Sequence, residues 1–125
     1  MGIVFYIKGK ENRYNFILSY SKWQEFCCHL ACMVDDDFKK FFNSTSIFVD
    51  INDDIVHEKL DAVADNHPEV ADLFFDIVGA ITNKTIASLY DKIKDSSDYM
   101  FDRNINSFIE LMLTALDENS SIWWA

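Results

Sequence analysis

Between Ser21 and Val34 the chain reads SKWQEFCCHLACMV, and this stretch restricts the fold more than any other. Trp23, Phe26, Cys27, Leu30, Ala31 and Val34 follow at steps of three, one, three, one and three, the i, i+3, i+4, i+7 pattern of a buried helix face. Ser21 is the expected N-cap, with Gln24 reaching back to the cap's own amide in a capping box. At about 100° per residue, Glu25, Cys28, His29, Cys32 and Asp36 gather on the opposite side. A helix with thiols and an imidazole behind its apolar stripe either carries a chemical site there or packs on both sides. Free cysteine is commonly buried, so the second reading is favoured and this helix is expected to lie between two layers.

Only three Gly and one Pro occur in 125 residues, while half of the chain is hydrophobic and 15% aromatic. Such a composition argues against disorder and against a turn-rich sandwich, and this length fits one domain with one core. No apolar run approaches the ~18 to 20 residues of a membrane span. Met1-Gly2-Ile3 does not open a signal peptide, and Tyr6 stands where a myristoylation motif wants Ser or Thr. Three cysteines within six residues do not make a secreted disulfide framework. Reduced thiols and a cytoplasmic setting are therefore expected.

The formal charge is −10, unevenly spread. Residues 1–34 hold Lys8, Lys10, Arg13 and Lys22 against Glu11 and Glu25, a balance of +2, which leaves −12 for the remainder. That distribution argues against direct nucleic-acid binding through a basic groove; a basic protein partner is the natural expectation.

The β-branched and aromatic run Ile3 to Ile7, a polar turn around Gly9, and the alternating Tyr14 to Tyr20 predict an N-terminal hairpin, which needs helices or further strands beside it. Asp35-Asp36-Asp37 either extends the Ser21 helix or caps a new one carrying Phe38, Phe41 and Phe42. Ile47 to Ile51 reads as a third strand. A helix opened by Asn52 or Asp53 carries Val56, Leu60 and Val63, and His67-Pro68 ends it. The wide apolar face of Val70, Leu73, Phe74, Ile77, Val78 and Ile81 predicts the central core helix. Thr82 or Asn83 caps a helix with Ile86, Leu89, Tyr90 and Ile93 inward. The last stripe is Ile105, Phe108, Ile109, Met112, Leu113 and Leu116.

Several clusters invite chemistry. Cys28 and Cys32 with His29 between, and Glu25 nearby, offer ligands to zinc, but no second knuckle accompanies them. Asp50 to Asp61 resembles a calcium loop with Ile55 in place of the turn Gly and Asp61 in place of the bidentate Glu. No metal or cofactor is expected. Asp91, Asp95, Asp98 and Asp102, spaced four, three and four, would line one ridge of an unbroken helix, and Asp61, Asp65, Asp72 and Asp76 a second. Such ridges suit a basic groove. Trp123 and Trp124 supply the aromatic type favoured at interface centres.

Together these readings predict a single α+β domain over 1–125, predominantly helical, with a short N-terminal β-hairpin packed on a bundle of four to six helices. The expected function is not enzymatic. It is that of a small acidic protein-binding inhibitor, most concretely an immunity protein of antitoxin type that neutralises a basic toxin such as a nuclease. The contact residues are expected among Asp35, Asp36, Asp37, Asp53, Asp54, Asp61, Asp65, Asp72, Asp76, Asp91, Asp95, Asp98, Asp102, Trp123 and Trp124. No direct nucleic-acid or membrane contact is expected, and the terminal tryptophans leave room for a homodimer. Two other classes compete: a phage or viral effector that mimics DNA or blocks a host defence protein, and a small enzyme or metal-binding protein using the Cys28/His29/Cys32 face.

Overall fold

In a computed structural model, residues 2–45, 54–96, 98, 99 and 101–125 are described, apart from the side chains of Thr45 and Phe75. Strands β1 (Gly2–Ile7) and β2 (Asn15–Ser19) form the expected antiparallel hairpin. Gly9, with φ of 82°, supplies the left-handed residue in the turn between them. The helices are α1 (Trp23–Val34), α2 (Asp36–Thr45), α3 (Asp54–Asn66), α4 (Ala71–Phe75), α5 (Asn83–Ile93) and α6 (Arg103–Asp117). Two further strands, β3 (Gly79–Ile81) and β4 (Ile122–Trp124), complete an antiparallel sheet of order β2-β1-β4-β3 among the described residues. The chain is thus α+β and predominantly helical, as its periodicities require. The strand expected over 47–51 lies outside the described residues.

Helices cover one face of the sheet. Ile3, Phe5, Ile7, Leu18, Ile81, Ile122 and Trp124 point inward and are buried. Phe5 is the hub, with the rings of Phe16, Trp23, Phe26, Phe108 and Trp124 centred 4.8 to 6.0 Å from its own. Helices α1 and α6 meet this layer through Phe26 and Phe108, which pack on Phe5, and α1 packs as well on α2, α3, α4 and α5. Every residue of α1 from Phe26 to Met33 is buried in consequence. The double-sided packing expected of this helix is what the fold uses.

Three local expectations fail for identifiable reasons. Ser21 is not the cap of α1: a 3-10 turn over Tyr20–Lys22 runs into the helix at Trp23, Ser21 faces the Ser19 hydroxyl, and Gln24 Nε2 is buried without a hydrogen-bond partner among the described residues. The long central helix over 70–81 does not form. After Pro68–Val70 and the short α4 the backbone is extended at Asp76, and Ile77 and Val78 are exposed. Gly79–Ile81 then joins the sheet, because Gly79 is where the Trp124 indole crosses the backbone. A Cβ there would sit 2.6 Å from Trp124 Cζ2. The helical spacing of these apolar residues arose from two short elements read as one. Trp123 and Trp124, grouped above with the contact residues, are instead built into the sheet, in the strand between β1 and β3.

The turn that delivers β4 is built by α6. Asn119 adopts φ of 52°, the Ser120 amide donates to the Ala115 carbonyl at 2.9 Å and the Asn119 amide to Leu116 at 3.3 Å, the Schellman pattern at a helix end. Asn83 Nδ2 donates to both Ala115 and Ser120 carbonyls, at 3.1 and 2.9 Å, tying the start of α5 to this turn.

Candidate partner-binding surface

The carboxylates gathered by sequence spacing separate in space. The Asp91 to Asp102 row does not form a ridge, since α5 ends at Ile93 and the chain turns before α6 begins at Arg103. Asp91 and Asp95 are exposed, and Asp91 meets Lys94 at 3.1 Å. Asp98 holds Lys39 at 2.7 Å. Asp102 is a structural residue. One oxygen accepts from the Asn104 and Ile105 amides at 2.8 and 3.3 Å, capping α6. The other meets His29 Nδ1 at 2.5 Å. The missed signal was available: a helix whose stripe begins at Ile105 needs an oxygen-bearing cap about three residues earlier.

Around that pair the cysteine face of α1 is closed. Tyr99 stacks on His29 with ring centroids 4.1 Å apart, and its hydroxyl donates to Cys32 Sγ at 3.4 Å. Tyr99 holds φ of 59°, a left-handed conformation that costs a non-glycine residue roughly 1–2 kcal/mol, and the stack and hydroxyl contact hold it there. Burial pushes the Cys28 thiol up to about 12, helped by Cys32 and Glu25. Cys32 rises to about 11, again through burial, with the Tyr99 hydrogen bond pulling the other way. Cys27 is displaced upward by burial as well, and its thiol donates to the Leu73 carbonyl. Buried, protonated thiols are neither nucleophiles nor ready metal ligands. No group of three His, Cys, Asp or Glu side chains among the described residues is placed to hold a metal ion. The cavity beside His29, bounded by Lys22, Glu25, Phe101 and Asn104, measures about 200 Å³, below the ~300 Å³ at which small-molecule sites begin.

Asp35 is likewise spent internally. Its Oδ1 accepts from the Phe38 amide at 2.9 Å as the cap of α2, and Oδ2 lies 3.3 Å from His67 Nε2. Lys92 Nζ stands 2.8 Å from His67 Nδ1 and 3.0 Å from Glu69. An ammonium only donates, so Nδ1 accepts and the ring proton resides on Nε2, toward Asp35. Burial, the largest influence on Glu69, pushes its carboxyl up; its own backbone amide, Lys92 and Ser88 outweigh that and leave it below the ordinary value. This network joins the α1–α2 junction, the residue after α3, and α5.

What stays free is α3. Asp54, Asp61 and Asp65 are exposed, and Glu58, which sequence reasoning passed over, completes their spacing of four, three and four on one helix face. None of the four is in an ion pair among the described residues. The cation of this helix, Lys59, lies 5.4 Å from the centre of the Phe41 ring. Asp36 and Asp37 are exposed in the first turn of α2, and Asp37 shares a cleft with Lys59, Ala62 and Asn66 of α3. Asp72 and Asp76 are exposed but belong to α4 and the extended residue after it, so they do not continue the α3 row. Asp53 lies outside the described residues.

The two tryptophans divide by strand alternation. Trp124 faces inward, 1% exposed, and its Nε1 donates to the Asp76 carbonyl at 2.8 Å; it is a core residue rather than a contact. Trp123 faces outward, 37% exposed, beneath Lys8.

Comparison with protein-family models, with curated proteins and with solved structures finds no match. No helix among the described residues is long and apolar enough to cross a membrane.

Proposed function

We propose that the chain is a small protein-binding inhibitor that presents the α3 ridge to a basic partner, as an immunity protein does when it occupies the basic active site of a toxin such as a nuclease. The observation that carries this reading is the row Asp54, Glu58, Asp61 and Asp65, exposed and without a paired cation among the described residues, while Lys10, Lys22, Lys39, Lys92 and Lys94 are engaged with carboxylates of other elements. Like charges at i, i+4 destabilise a helix by roughly 0.2–0.5 kcal/mol a pair. A ridge left unneutralised thus sacrifices stability for a surface that steers a cation-rich partner.

Charge density favours a dedicated protein partner over DNA mimicry. Four carboxylates over eleven helical steps give about one charge per 5.5 Å, against about one per 1.7 Å along duplex DNA. A single sparse row suits a groove with a few placed lysines or arginines better than a site built for a duplex. The buried, protonated thiols of α1 argue against thiolate catalysis, the third class.

The test is capture from the native cell by the wild type and by the triple variant Glu58→Gln, Asp61→Asn, Asp65→Asn, at low and high salt. A basic protein retained at low salt by the wild type, lost at high salt and lost to the variant supports the reading. Equal retention by both chains, or retention only of nucleic-acid-binding proteins of many kinds with displacement of their DNA, overturns it.

A further inference from the structure

We infer that two copies of the chain pair through β2, antiparallel about Ile17, to make one continuous sheet across a two-fold axis. In the order β2-β1-β4-β3, β2 is an edge strand. Which of its backbone groups are free follows from the ladder. Val4 and Ala125 exchange both hydrogen bonds, at 3.0 and 3.2 Å, and the Ile7 amide donates to Tyr14 at 3.3 Å. Even residues of β1 therefore face β4 and odd ones face β2, and by alternation Tyr14, Phe16 and Leu18 face β1. The amides and carbonyls of Asn15 and Ile17 and the amide of Ser19 point away from the sheet; the Ser19 carbonyl, at the N-cap of the 3-10 turn over Tyr20–Lys22, accepts the first bond of that turn.

This edge carries none of the devices that keep edges apart. Proline, lysine and bulges blunt natural edge strands, yet Tyr14 to Ser21 is eight residues without a charge, bounded by Arg13 and Lys22. The side chain of Ile17 is 66% exposed on the uncovered face of the sheet, with Val4 opposite it. A chain of net charge −10 would repel its own copy at most surfaces, but residues 1–34 carry +2 and β2 itself holds no carboxylate; Glu110 of α6, in the cleft beside Asn15 and Phe16, is faced there by Arg13.

The occupant is specified by self-complementarity. In two-fold pairing centred on Ile17, Ile17 meets Ile17 of the second copy and Asn15 meets Ser19. No like charges oppose one another. Up to four backbone hydrogen bonds form, two between the paired Ile17 residues and one from each Ser19 amide to the Asn15 carbonyl of the other copy. The isologous arrangement closes on itself and leaves no further free β2 edge.

Sedimentation equilibrium over a hundredfold concentration range, with hydrogen exchange on the same samples, decides it. The expected mass rises to twice 14.6 kDa, with the Ile17 and Ser19 amides gaining protection as dimer forms. Ile17→Lys and Ile17→Pro should both return the mass to 14.6 kDa. Pro at 17 removes only an outward amide, a position edge strands tolerate, and Ile17→Lys keeps every backbone group should the Pro variant fail to fold. A wild type that stays at the single-chain mass overturns the proposal and leaves the edge to a foreign strand. A dimer that survives Ile17→Lys, or forms without protecting those two amides, overturns it equally.

Discussion

Truncating Asp102 to Ala tests the least expected assignment, that a residue of the apparent acidic ridge is a buried joint. Two losses add. The α6 cap disappears, at about 1 kcal/mol within a range of 0.5–2. His29, only 7% exposed, loses the partner of Nδ1 and keeps a buried polar atom without a bond, about 1–3 kcal/mol. The sum is roughly 2–4 kcal/mol, and at about 4 °C per kcal/mol for a chain of this size the midpoint falls by roughly 8–16 °C. Asp102→Asn separates the parts. Asn caps as well as Asp, and its amide can donate to Nδ1 if the ring proton moves to Nε2, toward Glu25 Oε1 at 4.0 Å. That variant should lose under ~1 kcal/mol. Urea unfolding followed by circular dichroism measures both. If Asp102→Ala stays within ~0.5 kcal/mol of wild type, or if the Asn variant is as damaged as the Ala variant, the joint does not work as described.

Other consequences are equally direct. Gly79→Ala places a methyl 2.6 Å from an indole that cannot swing away, since Trp124 donates to Asp76 and stacks on Phe5. A loss of about 1–3 kcal/mol is expected in the same unfolding assay, and a neutral effect would mean that the β3–β4 approach is looser than this. At pH 8 the native thiols should react with a disulfide reagent at least ~10²-fold more slowly than an ordinary thiol, because values of about 11 and 12 leave Cys32 and Cys28 almost wholly protonated; rapid labelling without unfolding would contradict that. The Lys10 hydrogen bond holds the Glu118 carboxyl below its ordinary value, and Glu69 is lowered as well. Their contribution is complete above the unfolded carboxyl pKa, about 4.3, and is lost as pH falls through the lower folded values. Lys10→Met and Lys92→Met should therefore flatten the acid limb of the stability curve, and a limb unchanged in both would remove these pairs from the account.

Much of the fold was legible because it is local. The α1 stripe, the hairpin, the Pro68 boundary and the cap of α5, which is Thr82 of the two candidates, depend on neighbours within a few residues and stand where periodicity and capping put them; the α6 helix forms as its period requires, but its buried face is turned, with Leu111 and Ala115 buried and Leu113 44% exposed. What escaped is non-local. β4 joins the sheet only because β1 and β3 flank it, and Ile77 to Ile81 leaves its helical pattern for a strand only because Trp124 lies across Gly79. A three-residue strand has too few residues to declare a period, so pairing partners a hundred residues apart decide it.

The acids show the same division from the side of function. Spacing along a helix predicts a shared face only while the helix lasts, and that condition held for α3, which gained Glu58, and failed between α5 and α6. Whether a carboxylate is free then depends on what tertiary packing brings to it. Asp35 and Asp102 sit beside histidines that arrive from other elements, His67 and His29, and each also has a local helix end to cap. Asp61 lies mid-helix and Asp65 in the last turn of α3, where carbonyls rather than amides are left over, so neither has an orphan amide to accept from, and both are exposed. A carboxylate with neither a helix end nor an incoming cation to satisfy is stabilised by water alone, and it is the kind a basic partner can take up without first breaking the fold.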